Sequence, residues 1–367
     1  MDQHERGDAR GALHSTIRMR TRARVVLAGG LVALFGGAAE RSEGEPVVVP
    51  GGAQVSTHAG ELPSWLIPDL PLAAEAYYAP DSRHLVAQVQ SDRATKSARG
   101  MAGFLTMTFT DAGGELTLIN DRGWDACSYY FPDGKRLVWT SVKDHPGMPL
   151  GSWSDWRSYP RGAELYTSDL RGGDVRRLTN NAHYEAEVTV SPDGQWIVFG
   201  RMIDGHMDLW RMRPDGSGEV RITNTPDWEE GAPYYLPDNE TILFRAWRGA
   251  DYGRKPTPMT IFTIRHDGTD LEARTFTEDM NWAPYPAPDG RHFVFVRAET
   301  AENWEVYLGD LDGGAPRRLT FDGGFDGFPS ISPDGRKMVW TSSRSSGEGF
   351  MGLKLHVMDV SSLQLGR

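Results

Sequence analysis

Five positions in this chain share a spacing that can gather charge around one point. Asp125, Glu185, Glu230, Asn281 and Asp326 each stand seven residues ahead of a proline, in the contexts GWDAC, HYEAE, DWEEG, MNWAP and GFDGF. If equivalent strands follow them, four carboxylates and one amide ring a common axis. Such a ring focuses negative potential. It suits a hard cation that prefers oxygen ligands, so Ca²⁺ in a central channel is one expectation. A basic peptide from a partner protein is the other. A sixth, less regular copy offers Ala73 there, with Glu75 nearby. The aromatic neighbours Trp124, Tyr184, Trp228, Trp282 and Phe325 would act as contact anchors. The competing reading is structural: the acids accept backbone N–H bonds and the aromatics pack between sheets.

A second candidate surface lies in residues 143–163, KDHPGMPLGSWSDWRSYPRGA, which carry Trp153, Trp156 and Tyr159 around Arg157. Aromatic residues and arginine are enriched at protein interfaces. The alternative is that the loop folds back over a sheet edge. Residues 249–258, GADYGRKPTP, form the second such loop.

Signatures of catalysis are missing. There is no GxSxG, HExxH or P-loop. His58, His84, His145, His183, His206, His266, His292 and His356 show no ligand spacing, although His183 and His206 share one repeat. Cys127 is the only cysteine, which excludes an intramolecular disulfide and Cys-based metal sites. Its strand-forming neighbours suggest a buried, inert thiol. No catalytic residue and no cofactor beyond the possible Ca²⁺ are expected.

These side chains need a frame, and the frame is written in turns. Pro-Asp recurs at residues 80, 132, 192, 237, 288 and 333, at intervals of 52, 60, 45, 51 and 45. Pro presets φ for the second turn position, Asp suits the third and Gly takes the last. A short strand precedes each turn and an alternating apolar strand follows: RLVWTSV, WIVFGRM, TILFRAW, HFVFVRA, KMVWTSS. A third strand comes after a variable loop. A fourth is expected to end in an apolar–Thr pair: Leu178-Thr179, Ile222-Thr223, Phe276-Thr277 and Leu319-Thr320. Four strands per repeat, six times, predict an all-β six-bladed β-propeller of four-stranded antiparallel blades. The last copy lacks a clear fourth strand, so residues 46–50, PVVVP, are expected to close the ring and remove an exposed edge.

The stretch LTNNAHYEAEVTVSPDGQWIVFGRMIDGHMDLWRMRPDGS resembles the PD40 repeats of TolB-like propellers. These are similar in shape to WD40 blades, with the SPDG turn in place of the Trp-Asp pair. The resemblance covers about residues 70–360. It implies a propeller fold and a family of partner-binding proteins and enzyme-associated propellers. TolB itself carries a separate domain ahead of its propeller, which residues 40–70 are too short to supply.

Net charge is −11, which argues against general nucleic-acid binding. Residues 1–39 hold six Arg against three acids, so a basic head precedes a more acidic body. Residues 1–24 read as a basic cytoplasmic n-region. Residues 25–39, VVLAGGLVALFGGAA, read as a signal sequence or an inner-membrane anchor preceded by one basic segment. Gly29, Ala33 and Gly37 fall on one face of that hydrophobic helix, a small-residue stripe for helix packing. Residues 40–70 are a linker with a possible ring-closing strand, and 71–367 the propeller.

The reading that follows is a periplasmic, non-enzymatic binding scaffold, tethered to the inner membrane if the helix is retained. Its partners would be proteins of a membrane or envelope complex, a respiratory or photosynthetic one for example. The rivals are a metal-dependent polysaccharide lyase or hydrolase and a TolB-like component of an envelope-spanning system.

Overall fold

The computed structural model describes residues 47, 49, 55–56, 58–96, 103–153, 155–345 and 352–367. Six antiparallel sheets follow one another along the chain. Their inner strands are Ala73–Tyr78, Asp125–Tyr130, Tyr184–Val190, Trp228–Tyr235, Asn281–Pro286 and Asp326–Ile331. Each is followed, moving outward, by a second and a third long strand and, in the first five blades, by a fourth of two residues. The all-β six-bladed propeller is therefore present. The expected hydrophobic helix at residues 25–39, with Gly29, Ala33 and Gly37, lies outside the described residues. Among the described residues no helix is long and apolar enough to cross a membrane.

The turns form for the reason their composition suggests. In all six, the Asp side chain accepts the backbone N–H two residues on, from Arg83, Lys135, Gln195, Glu240, Arg291 and Arg336. The next residue must then turn left-handed. Gly134, Gly194, Gly290 and Gly335 do so at φ of +65° to +72°, and Ser82 and Asn239 adopt the same region at +56° and +63°.

Two residues beyond the fourth strand, a threonine hydroxyl accepts a backbone N–H of the third strand. Thr179 serves Leu165, Thr223 serves Leu209 and Thr320 serves Val306, at 2.8–3.0 Å. Blade four departs from the expected Phe276-Thr277 pair. Thr275 takes the bond from Ile261 at 2.9 Å, and Phe276 is 74% exposed.

Ring closure also departs from expectation. Ser64–Leu66, not residues 46–50, pairs antiparallel with Lys354–Asp359 and completes blade six, with Val55–Ser56 outside it. Val47 and Val49 pack against this region without forming a strand. Trp65 is buried there with Ile67 and Leu70. Arg344 locks the join: its Nη1 donates to Glu61 at 2.8 Å and its Nη2 to Asp326 at 2.7 Å. All three side chains are at most 5% exposed. Burial pushes the Glu61 carboxyl up, against the pull of Arg344.

Candidate functional site

The five expected ring residues sit at or near the start of their inner strands, and all are buried, at 0–3% exposure. Their side chains are engaged inside the protein. Asp125 accepts from the Thr106 N–H at 2.8 Å and the Asn120 amide at 2.7 Å. Glu185 holds Arg201 Nε at 2.5 Å and the Asn181 amide at 2.8 Å. Glu230 accepts from the hydroxyls of Thr225 and Thr223. Asn281 donates to the Met259 carbonyl at 3.0 Å and accepts from Arg297. Asp326 accepts from Trp340 Nε1 at 2.9 Å as well as from Arg344. These bonds stitch inner strands to their surroundings. Among the described residues, no group of three or more His, Cys, Asp or Glu is placed to hold a metal.

Two of these carboxyls lie in environments that favour the proton. Burial raises Asp125 to about 6 and Glu230 to about 8. Glu230 is pushed further by Asp208 and Glu229. Glu185 is raised by burial against the opposing pull of Arg201.

Further along, each inner strand carries a bulge that sequence reading did not find. Glu75, Cys127, Glu187, Ala232, Ala283 and Phe328 occupy one equivalent position, five residues before the turn proline, and all have φ between +42° and +58°. None is glycine, so the strain is held by the ladder on either side. Glu187 accepts from the Ala232 N–H at 2.8 Å and from Arg245 Nη2 at 2.6 Å. Glu75 accepts from the Tyr77 hydroxyl at 3.2 Å, and burial raises it to about 7.

Two residues further along, four tyrosines meet across the ring. Tyr77 of blade one and Tyr234 of the opposite blade four place their hydroxyls 2.5 Å apart. Tyr129 of blade two and Tyr285 of the opposite blade five stand 3.2 Å apart. Tyr77 and Tyr234 have their ring centroids 5.0–6.3 Å from one another and from those of Tyr129 and Tyr285. The channel is thus plugged at this level by aromatic side chains in offset and tilted contact.

The two long loops do not stand apart. The loop of blade two reaches across blade three and meets the loop of blade four. Tyr252 donates to Asp155 at 3.0 Å, Trp156 lies edge-on to Tyr252 at 5.2 Å, and the Arg157 guanidinium sits 4.0 Å from the Tyr252 ring centroid. Behind this bridge Tyr159 stacks on Tyr184 at 4.2 Å and Trp153 packs on Tyr184 at 6.0 Å. Of the expected interface residues, Arg157 is exposed while Trp153, Trp156, Tyr159, Trp228 and Trp282 are half-buried. Trp282 packs on Phe328 at 4.6 Å and Trp304 at 5.6 Å, away from the bridge. Trp156, Arg157 and Trp228 share a cleft of about 620 Å³ with His206, Glu229 and Arg248.

The histidines are dispersed. His206 contacts Glu229 at 3.4 Å, His145 contacts Glu164 at 3.2 Å, and His84 and His292 bond the aspartates of their own turns. A second repeated pairing escaped sequence reading: an acid within the first three residues of the third strand holds an Arg of the fourth. Glu164–Arg177, Asp208–Arg221 and Glu305–Arg318 are 2.8, 2.5 and 2.5 Å apart. In these three blades the signal was present as an Arg two residues before the threonine: Arg177 before Thr179, Arg221 before Thr223 and Arg318 before Thr320.

No family model matches the chain. Its sequence is 29% identical over 187 residues to an uncharacterized protein of Agrobacterium fabrum, covering 48% of this chain and 54% of that protein. It is 25% identical over 189 residues to a TolB homolog of Chlorobium chlorochromatii, covering 50% of this chain and 40% of the relative. A dipeptidyl-peptidase 5 of Porphyromonas endodontalis is 25% identical over 265 residues, covering 59% of this chain and 36% of the enzyme. The matches thus span about half or less of these curated relatives. Among solved structures, TolB from Acinetobacter baumannii superimposes with a TM-score of 0.57 at 20% identity, covering 76% of this chain and 64% of that one. A protein described as a TolB from Agrobacterium tumefaciens gives 0.56 at 21%, covering 79% and 90%. Oligogalacturonate lyase from Vibrio parahaemolyticus gives 0.53 at 13%, covering 84% and 97%. The fold is that of the TolB-like propellers, as the PD40 resemblance implied.

Proposed function

We propose that this propeller is a non-enzymatic protein-binding scaffold outside the cytoplasm, docking its partner through the face on which the two long loops meet. The observation that carries the reading is the bridge of Asp155, Trp156 and Arg157 to Tyr252 over blade three. It joins two insertions into one surface that leaves a guanidinium and indole edges beside an open cleft. Arg and aromatic residues held in place by their neighbours bind with little further ordering cost. The tyrosine plug favours recognition on a face over passage through the axis.

TolB-like relatives and the basic-then-apolar opening of the chain support a periplasmic setting. Residues 25–39 would export the propeller or hold it at the inner membrane, there as an accessory subunit of a larger complex. Purification from native membranes in mild detergent, followed by identification of co-purifying proteins, tests this. A stable partner that is lost on Tyr252→Ala is expected. Recovery of the chain alone, or turnover of a polysaccharide by the purified propeller, would overturn it.

A further inference from the structure

The cleft beside the bridge has a chemistry of its own. Its walls come from three blades: Trp156 and Arg157 from the loop of blade two, His206 from blade three, and Trp228, Glu229 and Arg248 from blade four. About 620 Å³ is within the size range of ligand sites and holds a few residues of peptide. The two arginines are exposed, and each lies against an indole, Arg157 at 5.6 Å from Trp156 and Arg248 at 5.3 Å from Trp228. Stacking fixes their direction without neutralising them. Neither forms an ion pair with a carboxylate among the described residues, whereas most other arginines of the propeller do.

The buried acid of the cleft is already satisfied. Glu229 accepts the Met207 N–H at 2.7 Å and lies 3.4 Å from His206. The remaining acid, Asp227, is exposed and leaves a hydrogen-bond acceptor at the rim. Two guanidinium groups set against indoles, apolar indole surface and one rim acceptor match three features of a peptide: a carboxylate, an apolar neighbour and a backbone N–H.

We propose that this cleft is the recognition pocket for an acidic, apolar-flanked segment of the partner protein. Arg157 and Arg248 take its carboxylate, and the Trp156 and Trp228 indoles take the adjoining apolar side chain. The assignment rests on the binding-scaffold reading and names the chemistry of the partner.

The test uses the full chain and a fluorescein-labelled peptide alternating Leu and Glu, with the Leu–Lys counterpart and a uronic acid trisaccharide as the other arms. Fluorescence anisotropy should show binding of the Leu–Glu peptide that weakens from 50 to 300 mM salt, as exposed charge pairing does. Arg157→Gln and Arg248→Gln should each weaken it about fivefold or more, with unchanged thermal midpoints because both side chains are exposed. Equal binding of the Leu–Lys peptide, unaltered affinity in both variants, or preference for the uronate would overturn the proposal. Membrane capture separates the two levels. The same partner on wild type and on the double Gln variant would refute the cleft assignment alone. Capture of nothing, with peptide binding intact, would refute the scaffold reading alone.

Discussion

Glu230 offers an unusual handle on stability, because its environment favours the proton over the charge. The carboxyl is 3% exposed, its hydrogen-bond donors are two neutral threonines, and Asp208 and Glu229 add like charge. Its pKa rises from an ordinary 4.5 to about 8. The folded protein therefore holds a proton that the unfolded chain releases above about pH 4.5. In this window the native state binds more protons, so stability falls as pH rises and stops falling above the folded pKa. Each pH unit removes about 1.4 kcal/mol per fully linked group. Between pH 5 and 8 the limit for this residue is roughly 4 kcal/mol, and water entry on ionisation brings an expected ~2 kcal/mol. Asp125, at about 6, and Glu75, at about 7, add to the lower part of the window. Glu230→Gln keeps an acceptor for Thr225 and cannot ionise. Urea unfolding followed by tryptophan fluorescence at pH 5, 6, 7 and 8 should show the variant close to wild type at pH 5. It should be more stable by roughly 2 kcal/mol at pH 8. Parallel pH profiles for the two proteins would refute the account.

Other perturbations follow from specific contacts. Arg344→Met strands Glu61 and Asp326 as buried carboxylates and should cost about 3–5 kcal/mol by chemical denaturation; a loss below about 1 kcal/mol would contradict it. Gly231→Ala places a Cβ 2.2 Å from Glu187 Oε2 and 2.5 Å from Arg245 Nη1, which should cost about 1–3 kcal/mol and break the 2.6 Å ion pair, seen as a lower melting midpoint. Tyr234→Phe removes one side of the cross-ring hydroxyl pair with Tyr77 and should destabilise by about 1 kcal/mol in the same assay. Cys127 is buried and its thiol is pushed well up by burial, so maleimide should label it only in denaturant.

The blades were legible because each turn leaves a compositional trace. An Asp that caps its own turn and a residue that tolerates positive φ must be written in sequence, and even Ser82 and Asn239 fit that requirement. Register was less legible. Phe276-Thr277 has the right residue types, but the spacing from Ile261 selects Thr275, and only strand pairing reveals that spacing. The closing strand was misplaced because PVVVP is more apolar than Ser64–Leu66, while the actual strand relies on one deeply buried indole, Trp65. The five ring residues, expected just ahead of the inner strands, lie within the first three residues of those strands. Their side-chain directions were not legible, since each depends on partners such as Asn120, Arg201 and Trp340 that come from other strands or loops. The bulges at Glu75, Cys127 and Glu187 have no residue signature at all.

The Ser64–Leu66 pairing also defines where mechanical load would enter the ring. Any pull transmitted from upstream reaches the sheet at the outer edge of blade six, through two short runs of strand pairing, Val55–Ser56 on Ser64–Trp65 and Ser64–Leu66 on Lys354–Asp359, and the Glu61–Arg344 bond. Those contacts would yield before the inner strands feel the force, and their release would uncover an unpaired edge along Lys354–Asp359. Under such a pull, the residues that would set the strength of this seam are Trp65, Glu61 and Arg344.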